Sequence, residues 1–293
     1  MSDPVPTVVD VTTATNETPA PEAALRPRGL SPSRAADFMQ CPLLYRFRTI
    51  DKLPEAPSGP AVRGTLVHAV LERLFDLPAQ ERTPTTACGM VEGQWRALLE
   101  RDPRTRELFG PDPELVPERA EALAAWLQSA RALLERYFEL EDPTRLEPAG
   151  RELHLEVPLE DGLVLRGIVD RLDEAPSGEL RVVDYKTGRA PSELHEAKAL
   201  FQMRFYALVL WRLRGVVPAL LQLVYLGSGD VLRYAPDEDD LRATERKVRA
   251  LWEAIETARA TGDWRPRPGR TCSWCDHKAL CPAFGGTPPP LPG

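Results

Sequence analysis

The chain has 293 residues, room for one large domain or two modest ones. Apolar residues make up 43% and charged residues 28%, the balance of a soluble globular protein with a sizeable core. The longest unbroken apolar run, 205–211, falls far short of the ~20 residues that span a bilayer. No charged, then apolar, then small-residue layout opens the chain, so a cytoplasmic protein with no membrane contact is expected. The net charge of −7 argues against coating of nucleic acid but leaves room for a local basic groove. Five of the 37 basic residues are Lys and none follows Gly, which excludes a phosphate-cradling GK[ST] loop and a nucleotide-driven motor.

In chain order, residues 1–28 are rich in Pro, Thr, Ala and acid without an apolar period, and read as a disordered tail. Residues 29–150 read as a mostly helical region. Ser31 and Ser33 are good helix caps beside Pro32, 61–75 carries one stripe through Val62, Leu66, Val70 and Leu74, and 91–99 and 118–140 are further helices. Pro-rich connections at 77–84 and 103–117 separate them. Residues 151–262 alternate differently: strands over 152–158, 163–172 and 179–185, a helix over 193–213, strands over 217–226 and 231–234, and a long helix over 237–260. A Cys-rich segment, 263–284, and a Gly- and Pro-rich flexible tail, 285–293, close the chain. Helices with a mixed sheet suggest an α/β or α+β fold.

Two strands carry the chemistry. The turn signal Ala175-Pro176-Ser177-Gly178 centres a hairpin near 177, so opposed residues sum to about 354. Asp170 and Asp184 then face each other with Cβ atoms about 5 Å apart, Lys186 shares the face, and Ile168, Leu172 and Val182 make it otherwise apolar. Two buried carboxylates in opposition need a proton or a cation, and a divalent ion of the Mg²⁺ or Mn²⁺ type suits them. Such an ion would lower the pKa of a water, and Lys186 would position that water or neutralise a phosphate. A one-residue slip would instead leave two surface acids and a solvated Lys.

His68 follows Gly64-Thr65-Leu66-Val67 on an apolar helix, with Glu72 one turn on to orient its imidazole, as a ligand or as a boundary residue. His154, His195 and His277 have no comparable setting. Cys272, Cys275 and Cys281 form C-x2-C-x5-C, and a tetrathiolate site needs a fourth ligand, Cys41 or the loop residue Cys88. Zinc knuckles pair two C-x2-C units, whereas one distant Cys joining a triplet fits an iron–sulfur cluster better.

The ordered motifs resemble the RecB-type nucleases of the PD-(D/E)XK superfamily, in their iron–sulfur branch with the AddB nuclease domain, exonuclease V and the CRISPR adaptation nucleases. They are S-P-S-R-A-A-D-F-M-Q-C-P at 31–42, G-T-L-V-H at 64–68, G-I-V-D-R-L-D at 167–173, V-D-Y-K-T-G at 183–188, Q-M-R-F-Y at 202–206 and the Cys triplet. The resemblance implies a restriction-endonuclease-like α/β core with a central mixed sheet flanked by helices, an N-terminal helical region and a C-terminus stapled by a cluster. It implies His68, Asp170, Asp184 and the Tyr185 carbonyl as metal ligands, with Lys186 as catalytic lysine. Gln202 and Tyr206 would stand near the DNA strand, and Cys41, Cys272, Cys275 and Cys281 would hold a [4Fe-4S] cluster, leaving Cys88 spare. An upstream acid assists in some members, here Glu152 or Glu156.

A polyanion substrate needs cations. Arg34, Arg46 and Arg48 lie near Cys41, and Arg265, Arg267 and Arg270 precede Cys272, so a cluster would bring six Arg together, with Trp264 or Trp274 for stacking single-stranded bases. Arg242, Arg246 and Arg249 share a helix face with acids and read as solvated. The expectation is a metal-dependent DNA exonuclease of repair or recombination, acting on single strands, alone or with a separate helicase. The competing readings are a non-catalytic DNA-binding module serving a helicase, and a zinc-stabilised protein with the same centre.

Overall fold

The computed structural model describes residues 29–111, 113–190 and 196–292. The expected disorder of 1–28, the first residues of the predicted 193–213 helix and His195 lie outside the described residues. Strand β1 (Gly29–Leu30) leads into helix α1 (Pro32–Gln40), which starts where it does because the Ser31 side chain accepts the Arg34 N–H and Pro32 fills the first turn. Helix α2 (Pro42–Tyr45) widens into a π-helical turn, Arg46–Ile50. Helix α3 (Gly59–Leu74) is capped by Ser58 and α4 (Pro84–Gly89) by Thr83, before α5 (Val91–Arg101) and α6 (Pro117–Leu140). Cys88 therefore sits on α4, not in a loop as its Pro- and Thr-rich flank suggests.

Strands β2 (Gly150–Pro158), β3 (Val164–Glu174) and β4 (Leu180–Lys186) follow, then α7 (Glu196–Arg214), β5 (Leu220–Tyr225), β6 (Asp230–Tyr234) and α8 (Glu238–Thr261). The predicted 217–226 strand begins only at Leu220, since Pro218 has no N–H for a ladder. A reciprocal Asp237–Asp240 capping box opens α8, and Gly262 ends it with φ 70°.

One mixed sheet takes all six strands. β3 pairs antiparallel with β2 along its length, while on its other edge β1 covers Val164 and Leu165 and β4 covers only 171–174. Residues 166–170 are left without a strand neighbour on that side among the described residues. β4 and β5 are parallel, joined through α7, and β6 closes the edge. Both faces of the sheet are covered, as a parallel pair requires. Val182, Leu221 and Leu223 pack with α1, α7 and α8, whereas Val183, Tyr185 and Val224 pack with α3, α5 and α6. The run V-V-D-Y-K thus serves two cores by simple alternation, with its charged members at the end where the sheet opens.

Candidate functional site

The predicted hairpin register is present: Arg171 faces Val183, Leu172 faces Val182, Asp173 faces Arg181 and Glu174 faces Leu180, each pair summing to 354. The turn closes through Gly178, at φ 87°, whose N–H donates to the Ala175 carbonyl. One step further the strands part. There the Asp170 carboxylate takes the Tyr185 N–H at 2.6 Å, in place of a ladder bond. Asp170 and Asp184 are therefore not the paired residues that the register predicts: the ladder ends at Arg171 and Val183, and Asp170 reaches Tyr185, next to Asp184.

On the other edge of β3, Arg151 faces Arg171 and Leu153 faces Val169, which leaves Glu152 opposite Asp170. Glu152 has φ 42°, a left-handed conformation that is costly for a residue with a side chain. The alternation of both strands reverses at this point. Leu155, Val157, Leu165 and Val169 pack in the α7 layer, but Arg151 and Arg171 reach the opposite face, toward Glu72 and Tyr185. The even-numbered face inferred from sequence is therefore not continuous, and Ile168 is 41% exposed rather than part of an apolar wall.

Helix α3 brings His68 to this break. Gly64, one turn earlier on the helix, lies beside Thr187, just past the end of β4. The His68 Nε2 lies 2.9 Å from the Tyr185 carbonyl and Nδ1 3.5 Å from Asp170 and 3.9 Å from Glu152. Its partners are thus Tyr185, Asp170 and Glu152, whereas Glu72 was the expected one. Ligand atoms of His68, Glu152 and Asp170 all lie within 4.8 Å of one another, a spacing open to a cation. Of the two upstream acids, Glu152 is at the centre, and Glu156 is paired with Arg166 at 2.8 Å.

Asp184 is buried and turned toward α7. Its Oδ1 accepts from Gln202 Nε2 at 3.1 Å, and its Oδ2 is paired with the Lys186 ammonium at 2.6 Å. Lys186 also donates to Gln202 Oε1 at 3.1 Å, and Gln202 donates to the Tyr206 hydroxyl at 2.9 Å. The Tyr206 ring lies flat against Gly167, where a Cβ would come within 2.8 Å of it, so only Gly admits the tyrosine. A cleft of about 870 Å³ runs along the uncovered edge of β3, between the start of α1 (Ser31, Arg34) and α7 (Gln202, Tyr206). At the other flank, a second opening is lined by Thr65, His68, Arg101 and Glu152.

Burial, with the Asp170 charge, pushes the Asp184 carboxyl up to about 6, against the pull of Lys186. Burial and Asp170 likewise raise Glu152. Burial acts to lower His68, but hydrogen bonding and charge from Asp170, with charge from Asp184 and Glu152, outweigh it and raise the imidazole to about 9. Both ring nitrogens face oxygen acceptors, as an imidazolium requires. The cluster is an acidic pocket that holds protons where it would otherwise hold a cation. The donor set, one imidazole and carboxylates gathered within 4.8 Å beside the Tyr185 backbone carbonyl, fits Mg²⁺ or Mn²⁺.

Cys41, Cys272, Cys275 and Cys281 line one small pocket between α2 and the 3₁₀ turns near the C-terminus. The Arg267 N–H points at Cys41 Sγ (3.4 Å) and the Gly269 N–H at Cys272 Sγ (3.3 Å). Cys88 is elsewhere, near the Arg131 carbonyl. His277, read from sequence as ordinary, is buried here, 2.9 Å from Glu55 and edge-on to Phe47.

Of the six Arg expected together, five already have protein partners. Arg46 is buried against Asp51 and the Pro289 carbonyl, which also ties down the C-terminal segment. Arg48 bridges Asp37 and Glu55, Arg265 pairs with Asp263, Arg267 caps the Met39 carbonyl and Arg34 the Gly29 carbonyl. Trp264 is 6% exposed and stacked on Tyr45, so it cannot take a base, while Trp274 is 80% exposed. Arg242 and Arg249 pair with acids, as read from sequence.

A family model of the PD-(D/E)XK nuclease superfamily matches residues 29–282. The chain belongs to this superfamily. The Gene 69 protein of Mycobacterium phage D29 is 26% identical over 282 residues, covering 87% of this chain and 96% of the phage protein. Its counterpart in Mycobacterium phage L5 is 25% identical over 290 residues, with the same coverage. Among solved structures, a candidate exonuclease from Eubacterium rectale superposes with a TM-score of 0.55 at 12% identity, over 89% of this chain and 94% of that one, a likeness of fold. The mixed sheet flanked by helices is thus the PD-(D/E)XK nuclease fold, and no described helix is long and apolar enough to cross a membrane.

Proposed function

We propose that this nuclease is a metal-dependent DNA exonuclease of the RecB type that hydrolyses phosphodiester bonds in repair or recombination, with single strands as substrate. The observation that carries the reading is the nearness of Asp184, held by Lys186 and Gln202, to the charges of Asp170 and His68 in the His68–Glu152–Asp170 cluster. His68, Asp170, Asp184 and the Tyr185 carbonyl, with Glu152 beside them, would hold Mg²⁺ or Mn²⁺. The ion supplies Lewis acidity and offsets charge at the phosphodiester. Lys186, restrained by Asp184 and Gln202, offers its ammonium to a phosphate oxygen or to the attacking water. Gln202 and Tyr206 form the wall on which the strand lies. A cleft walled by α1 and α7 favours a single strand over a duplex.

The four cysteines, gathered at one pocket from both ends of the described chain, support a [4Fe-4S] cluster. Iron and sulfide analysis of anaerobically purified protein tests this. For the activity, end-labelled single- and double-stranded DNA is digested with Mg²⁺ or Mn²⁺. Asp184→Ala should abolish cleavage while leaving the fold and the brown colour intact. Full activity in that variant overturns the assignment, and DNA binding without turnover by the unmodified protein would favour a helicase accessory instead.

A further inference from the structure

Two consecutive residues of β3 hold one residue of β4 at both ends, the backbone N–H and the phenol. Asp170 takes the Tyr185 N–H, and Arg171 donates to the Tyr185 hydroxyl. Arg171 is 1% exposed, and all five of its N–H donors are used. Nη1 and Nη2 hold Glu141 at 2.7 and 2.9 Å, Nε and Nη2 hold Asp173 at 3.0 and 3.2 Å, and the second Nη1 donor takes the phenol. Gln222 on β5 donates to Glu141 at 3.0 Å and Arg181 on β4 to Asp173 at 2.8 Å, so the end of α6 and three strands share the network.

Such a network is a poor way to gain stability, because buried ion pairs barely outperform an apolar cluster of the same volume. What it offers is a fixed position, and the group it fixes is Tyr185. The Tyr185 carbonyl meets His68, its N–H meets Asp170, and its ring stands edge-on to the His68 imidazole, centroids 6.2 Å apart. We propose that Arg171 is a positioning residue, which sets the Tyr185 phenol and through it the backbone groups that align His68 and Asp170. This rests on the cation-binding reading of the centre and adds the scaffold behind it.

Tyr185→Phe removes only the hydroxyl and keeps ring and backbone. In the full chain, Mn²⁺ binding measured by calorimetry should weaken about tenfold, the usual effect of losing a group that orients a ligand. The kcat should fall with KM for DNA unchanged. In an Arg171→Met background the same substitution should add nothing to the Mn²⁺ effect. A Tyr185→Phe protein that melts lower yet binds Mn²⁺ like the unmodified chain overturns the proposal, since support without positioning predicts that pattern. If the unmodified chain binds Mn²⁺ but cleaves no DNA, the nuclease reading fails, and the Mn²⁺ affinities still decide the role of Arg171.

Discussion

The acidic centre and the cysteine lobe solve the same problem differently. At the centre the charges answer one another: the raised imidazole of His68 faces Asp170 and Glu152, and Lys186 lies on Asp184. A cation there replaces protons that the protein already holds, so the surrounding fold stands without it. The lobe has no internal substitute. Four thiols from distant parts of the chain line a pocket, with the Arg267 and Gly269 N–H groups turned toward two of them. On the proposed reading, binding free energy at the lobe would be folding free energy, whereas at the centre it would serve chemistry.

The sharpest break in that contrast is Cys275→Ser. It should lower Tm by on the order of 10 °C and free the C-terminal segment from α2, read by thermal scanning and limited proteolysis, whereas chelation of divalent ions should leave Tm nearly unchanged. A Cys275→Ser protein as stable as the parent would remove the distinction.

A smaller effect sits at Asp184. Its carboxyl titrates at about 6 in the fold against an ordinary 3.8, so the folded state holds the proton more tightly. The stability this lends is complete below about pH 3.8 and is lost as pH rises through 6. In the absence of divalent ions, Asp184→Asn should thus stabilise the protein at pH 8 by on the order of 2 kcal/mol, with no gain at pH 4, while cleavage is lost. Denaturant melts at the two pH values check it.

The smallest effect is a proton. His68, raised to about 9, must give one up to act as a ligand, so Mn²⁺ binding at pH 7 should release close to one proton and tighten as pH approaches 9. Calorimetry in buffers of different ionisation heat counts it.

Much of this was legible in the residues. Turn chemistry at 175–178 specified the hairpin register, and motif order brought His68, Asp170, Lys186 and Gln202 to one place. The limits were physical. Side-chain parity assumes an unbroken pleat, and Glu152 breaks it, so Ile168 turned outward and Glu152 was not separable from Glu156. Exposure of Trp264 and of the Arg near Cys41 depended on partners, Tyr45 and Asp51 among them, that spacing along the chain does not reveal as neighbours. The R-x-D of β3 was a visible signal, two charges in a central strand, and it marked a buried network.

The gap beside β3 has one more consequence. An interior strand with an uncovered side behaves as a sheet margin, and margins invite foreign strands. Here the bare stretch 166–170 lies recessed between α1 and α7, with Tyr206 laid across Gly167. The molecule can keep an unfinished sheet at its working face without offering neighbours a template for aggregation.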